Sequence, residues 1–199
     1  GQNLGGISLA PTPVAPMIST VSATENFLTV IGSNFQSLPI DPAFTKILVD
    51  GNPRARPAVF VPADGEEQAM IVSVTPGQHN VVIEKQWTRP NTSEVFQLKS
   101  NPVSFNKGMG SPTDVTKTDV TDTSARISWT NANFTSKSIV DVYSGGSLIT
   151  SDVLDGTSFQ VNGLLPSTNY TAQVKNRYGD VESTTPTSVT FTTRSSGLK

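Results

Sequence analysis

The feature that most constrains this chain is its rhythm. Short apolar, β-favouring runs are separated by turn residues almost from one end to the other, and no stretch keeps a helical 3.6-residue period for more than two turns. Met17-Ile18-Ser19-Thr20-Val21 is followed by turn residues, then Phe27 through Gly32 forms a second run. Ile47-Leu48-Val49 stops at Asp50-Gly51, a strong hairpin dipeptide, and Val59-Phe60-Val61 stops at Pro62. Ala69 to Val74 and Val81-Val82-Ile83 bracket Pro76-Gly77, and Glu94 to Leu98 and Val103 to Phe105 close the series. Strands this short at this spacing predict a sandwich of two antiparallel sheets.

Residues 106–112 (NKGMGSP) are small, polar and structure-breaking, the best boundary in the chain. A second series follows. In Ala125-Arg126-Ile127-Ser128-Trp129 apolar residues alternate strictly with polar ones, the mark of a half-buried strand. Thr113 to Asp119, Ser138 to Tyr143 and Leu148 to Val153 read as further strands, with Ser144-Gly145-Gly146 as a hairpin turn. Phe159 and Val161, then Tyr170, Ala172 and Val174, then Val189 and Phe191 alternate inward in the same way. The expected fold class is all-β, two tandem immunoglobulin-like sandwiches behind an extended N-terminal arm. The expected domains are an arm (1–16), a first sandwich (17–106), a linker (107–112), a second sandwich (113–194) and a tail (195–199).

Composition agrees. Thr, Ser and Val number 25, 23 and 21, a set that favours strands and turns over helices. The chain has no Cys, which removes a disulfide scaffold, a thiolate zinc site and a Cys nucleophile. At 199 residues it can bury enough apolar surface to fold without cross-links. Split at residue 108, each half carries seven basic and eight acidic residues, so neither has an electrostatic reason to seek nucleic acid or an anionic membrane. No apolar run is long enough to span a bilayer, and Gly1 to Ala10 lack a secretory pattern.

The second half resembles a fibronectin type III domain over about 111–193. The residues that carry this are Ser111-Pro112 at the entry, Trp129 ending the second strand, the run Asn162-Gly163-Leu164-Leu165-Pro166-Ser167-Thr168-Asn169-Tyr170, and Phe191-Thr192-Thr193. The resemblance implies a tyrosine corner, with Tyr170 burying its ring and returning its hydroxyl to backbone near Leu164. The first half resembles an IPT/TIG domain, another immunoglobulin-like sandwich. Pro16-Met17-Ile18, the run Leu28-Thr29-Val30-Ile31-Gly32-Ser33-Asn34-Phe35, and Val49-Asp50-Gly51 match its opening, and the match weakens after about Pro57. Gly32 is expected to allow a backbone kink and Phe35 to plug the end of the sandwich. Gln86 to Glu94, holding Trp87, reads as an inserted loop. Both resemblances imply spacer, adhesion or docking modules rather than enzymes.

The chemistry-bearing residues are sparse. His79 is the lone imidazole, set in a Gly77-Gln78-His79-Asn80 turn, and reads as an exposed loop histidine. Glu66-Glu67 follow Asp64-Gly65 and read as solvated turn carboxylates. No nucleophile elbow or metal-ligand spacing is present, so no catalytic residue, metal or cofactor is expected. The uncharged arm carries Leu4, Ile7, Leu9 and Val14, too apolar for a purely solvating tail, and is expected to dock on a partner. Trp87 and Tyr178, with Tyr143, are the exposed aromatics expected to touch a protein or glycan.

These features resemble bacteriophage virion decoration or fibre proteins, which consist of such domains, leave the cell by lysis and fold in a reducing cytoplasm. The expectation is a non-enzymatic protein on the virion surface. Its partners would be other capsid or tail proteins, with a host-surface protein or glycan as a further partner, and neither nucleic acid nor membrane. The alternative is a binding module at the bacterial cell surface or secreted, part of an adhesin or an accessory pair of a carbohydrate-active enzyme.

Overall fold

The computed structural model describes residues 12–36, 44–54, 58–60 and 66–197. Among them the chain is built from β-strands, and no helix is long and apolar enough to cross a membrane. It divides into two compact units, with the main break between Asn106 and Lys107 and the short segment Thr75–Gly77 grouped with the second.

In the first unit one sheet has the order β1-β2-β6-β5, made of Met17–Ala23, Phe27–Ser33, Glu67–Val72 and Ala58–Phe60. The other has the order β4-β3-β7-β8, made of Asn52–Pro53, Thr45–Val49, Gly77–Thr88 and Val95–Lys99, with β9 (Val103–Lys107) also pairing with β7. The pairings of β1 with β2, β2 with β6, β5 with β6, β3 with β4, β3 with β7 and β7 with β8 are all antiparallel. Antiparallel strands need only short connections and can leave one face wet, which is why the inner residues alternate with polar ones. Leu28, Val30, Ile47, Val49, Ala69, Val81 and Ile83 form the centre of one core.

Phe35 is fully buried in that core, and its backbone is held on both sides. Its N–H donates to Glu67 Oε2, and its carbonyl accepts from Thr45 Oγ1 at 2.9 Å. Gly32 has a different role from the expected kink. A Cβ there would lie 2.0 Å from the Met17 carbonyl oxygen and 2.7 Å from Phe35 Cζ. The residue is small because a backbone and a ring both close on it, whereas the irregular step of this ladder lies in β1, between Ile18 and Thr20.

In the second unit a three-stranded sheet has the order β10-β11-β14: Thr113–Thr118, Ser124–Thr130 and Ser158–Asn162. The larger sheet runs β13-β12-β15, made of Ser147–Leu154, Lys137–Ser144 and Asn169–Tyr178, and β17 (Thr187–Thr192) adds to the free side of β15. A two-residue strand, β16 (Val181–Glu182), pairs with the end of β15. Ala125, Ile127, Trp129, Val140, Val142, Val161, Ala172, Val174 and Phe191 make its core. Fully burying each Val or Ile contributes about 1.5–3 kcal/mol. The residues expected as a linker are bonded into this unit. The Gly110 carbonyl accepts from Asn176 Nδ2 (3.3 Å), and the Pro112 carbonyl from Thr187 Oγ1 (2.6 Å).

Two polar devices finish this core. The Trp129 indole N–H reaches both Asn131 Oδ1 (2.9 Å) and Ser138 Oγ (3.0 Å), so the ring is buried without orphaning its donor. Tyr170 stacks on Phe191 with centroids 5.6 Å apart, and its hydroxyl accepts from the Leu165 N–H at 2.9 Å. Leu164 is buried beside it, while Pro166 carries the carbonyl that accepts from Thr168 Oγ1 (2.9 Å).

Candidate interaction surfaces

The residues singled out from sequence fall in three kinds of place. Leu4, Ile7 and Leu9 lie outside the described residues. Val14 lies within them, exposed at 53%, in a stretch without regular secondary structure.

Trp87 is a correction. It is 7% exposed and sits inside β7, not in a loop. The strand runs through Thr88 and pairs Trp87 with Phe96 of β8, so Gln86 to Glu94 is strand followed by a short turn. The ring packs against Phe96 with centroids 5.6 Å apart, and Arg89 covers the other ring at 5.5 Å while pairing with Glu94 at 3.0 Å. The cause is parity: His79, Val81, Ile83, Lys85 and Trp87 all point inward from one strand. The period is present in the sequence, and Pro90 and Asn91 belong to the turn after the strand rather than to a loop around Trp87.

His79 is corrected in the same way. It is 9% exposed in β7, with its ring 5.7 Å from that of Phe105. Its Nδ1 lies 2.7 Å from Asp50 Oδ2, and Asp50 Oδ1 accepts the Asn80 N–H at 2.9 Å. Asp50 occupies the left-handed region (φ 52) in the turn it shares with Gly51 (φ 78), so this pair anchors the β3–β4 turn to β7. The hydrogen bond from His79, then that from Asn80, hold the Asp50 carboxyl below its ordinary pKa. Glu67 is likewise no turn carboxylate: it opens β6 and reaches the Phe35 N–H.

Lys85 was missed by sequence reasoning. It is 4% exposed between Ile83 and Trp87, and burial pushes its pKa down, with Glu67 opposing that shift. The remaining acidic residues scatter. Asp119 pairs with Arg126, Asp155 with Lys137, and Asp152 caps its own strand at the Val153 N–H. Among the described residues no three His, Asp or Glu side chains gather as a metal set.

A concavity lies on the second unit. It is an open groove of about 900 Å³ over the outer face of β12, β15 and β17. Tyr143, Thr171, Gln173 and Thr190 line it, with the Gly145-Gly146 turn at one end and Lys117 along one side. The register explains the grouping, because Tyr143 pairs with Thr171 and Thr171 with Thr190 in one row across three strands. Tyr178 lies outside the groove, half-buried near the β15–β16 turn, where Arg177 pairs with Asp180.

The tyrosine corner, the three-stranded sheet beside a larger one of four long strands and the two-residue β16, and the buried Trp129 are the features of one module, and residues 110–193 match the model of the fibronectin type III domain. Residues 110–193 are a fibronectin type III domain. A two-domain fibronectin type III segment of chicken tenascin superposes with a TM-score of 0.57 at 18% identity, covering 89% of this chain and 99% of that one. That likeness is one of fold. A fibronectin type III domain of human collagen XX is 26% identical over 43% of this chain and 92% of its own, with a TM-score of 0.39. No match was found among curated protein sequences. Fibronectin type III domains are generally non-enzymatic binding or structural modules, and the groove lies wholly on that domain here.

Proposed function

We propose that the chain is a non-enzymatic structural and docking protein of a bacteriophage particle, a capsid decoration protein or a head or tail fibre, displayed on the virion surface. The first unit is read with it as an IPT/TIG-like sandwich, on the strength of the Leu28 to Phe35 run and the close packing of Phe35 on Gly32. The observation that carries the proposal is how the titratable groups are used. His79 and Asp50 pin a turn, Glu67 holds the Phe35 backbone, and Asp119 and Asp155 are engaged in exposed ion pairs with Arg126 and Lys137. Two sandwich cores closed by such contacts suit a protein whose task is to be stable and attached. In this reading the apolar-spotted arm, residues 1–16, supplies the attachment.

The test is direct. Purified chain is mixed with undecorated particles, and the bound copies are counted by sedimentation and gel densitometry. Saturable, stoichiometric binding that is lost on deleting residues 1–16 supports the reading. Absence of saturable binding overturns it. A second reading, a binding module at a bacterial cell surface, is favoured by the groove around Tyr143, because a spacer needs no such face.

A further inference from the structure

We infer that the groove on the fibronectin type III domain is a binding site for a neutral oligosaccharide. The chemistry of its lining carries the inference. Tyr143 is half-buried between Leu148 of β13 and Thr171 of β15 and offers one ring against which the C–H face of a sugar can lie. The Tyr143 hydroxyl and the Gln173 amide make no hydrogen bond to the described chain, whereas their neighbours are occupied: Asn169 Oδ1 accepts from Thr192, and Ser144 Oγ donates to the Asn169 carbonyl at 3.1 Å. A planar amide and a phenol set beside threonine hydroxyls suit the paired hydroxyl groups of a pyranose, which both donate and accept.

Charge bears on the ligand as well. The cation at the groove, Lys117, donates its ammonium to the Thr190 carbonyl. Asp141, in the next row of β12, is engaged by Ser151 Oγ at 2.6 Å. With one cation and one carboxylate, the face carries no net charge that would select an ionic ligand over a neutral one. A protein partner fits less well. Tyr143 is the one large ring presented outward along the row, with exposed Leu148 paired beside it on β13, and the threonine hydroxyls on its other side would lie against apolar side chains without partners. At about 900 Å³ and open along the strands, the groove has room for several sugar units.

This inference holds for a virion and for a cell-surface protein alike, so its failure leaves the docking proposal standing, and particle binding is measured separately. The full chain is titrated with a panel of neutral oligosaccharides, namely β-1,4-glucan, β-1,4-linked N-acetylglucosamine and α-mannan fragments, and followed by amide chemical shifts. One member of the panel is expected to move Tyr143, Thr171, Gln173 and Thr190 together. Tyr143→Ala should weaken that binding at least about tenfold and Tyr143→Phe much less. Gln173→Ala should weaken it with the melting temperature unchanged, since both side chains face outward. If no sugar moves these amides at millimolar concentration, or Tyr143→Ala binds as the parent does, the inference fails. It fails equally if only a protein ligand perturbs this face.

Discussion

Gly32→Ala tests the packing of the first unit most sharply. The added methyl would stand 2.0 Å from the Met17 carbonyl oxygen, while an ordinary contact needs about 3.5 Å, so something must retreat by about 1.5 Å. Phe35 Cζ blocks another direction at 2.7 Å, and Phe35 cannot swing easily because Glu67 and Thr45 hold its backbone. The cheapest relief is for β1, which among the described residues pairs only with β2, to peel away. Peeling exposes Ile18, which is buried in the core, and strips its N–H of Asn101 Oδ1 (3.1 Å). Overpacking typically costs 1–3 kcal/mol and uncovering an isoleucine about 1.5–3 kcal/mol, with partial relaxation offsetting some of each. A net loss of about 3 kcal/mol is expected, worth a fall of roughly 10–20 °C for a domain of this size. Calorimetry of the full chain should show the first unit's transition moving by that amount and the second unit's staying in place. Gly108→Ala, where a Cβ meets nothing within 4 Å, is the control. A Gly32→Ala transition within about 2 °C of the parent, or two transitions falling together, would refute the reasoning.

Three further outcomes are expected. Tyr170→Phe keeps the stack on Phe191 but removes the acceptor for the Leu165 N–H, which should cost about 1–2 kcal/mol and lower only the second transition by roughly 4–16 °C. Lys85→Met should stabilise the first unit by about 1 kcal/mol or more at neutral pH in urea melts, because a buried ammonium is replaced by an apolar chain of similar length. The same side chain implies that the parent gains stability as pH rises toward the ordinary lysine value, and that Lys85→Met does not share the gain. Asp50 has its carboxyl pKa lowered in the fold, so its contribution is complete above the ordinary carboxylate value and is lost as pH falls through the lower, folded one. Acid titration of stability below about pH 4 should therefore be shallower in Asp50→Asn than in the parent.

The fold was legible because its strands are amphipathic at period two. In β11 the sequence alternation of Ala125, Ile127 and Trp129 is the burial pattern itself, and the Tyr170 corner was written in a contiguous run. What escaped the sequence depends on residues far apart in it. Gly32 is pressed by Met17 and Phe35, fifteen residues before it and three after, and only the paired strand and the folded ring reveal it. His79 became structural through Asp50, 29 residues earlier, a partner no local pattern names. Lys85 was invisible because a lysine is read as solvated by default, although its strand parity placed it between two buried residues.

Parity also separates the two aromatics that composition treats alike. In β7 Val81 and Ile83 fix the inward phase, and Trp87, four residues past Ile83, inherits it and disappears into the first unit. In β12 Val140 and Val142 fix the inward phase, and Tyr143, one residue past Val142, takes the opposite one. Because the side-chain period is two, a single-residue change of register would exchange these fates. Proline and asparagine near an aromatic are therefore weaker evidence of exposure than the phase of the strand that carries it. By that criterion Tyr143, with Thr171 and Thr190 fixed beside it by two independent ladders, is an aromatic that a partner can reach on a pre-formed surface. Such a row needs no ordering on contact, so the entropy lost in binding falls mainly on the ligand.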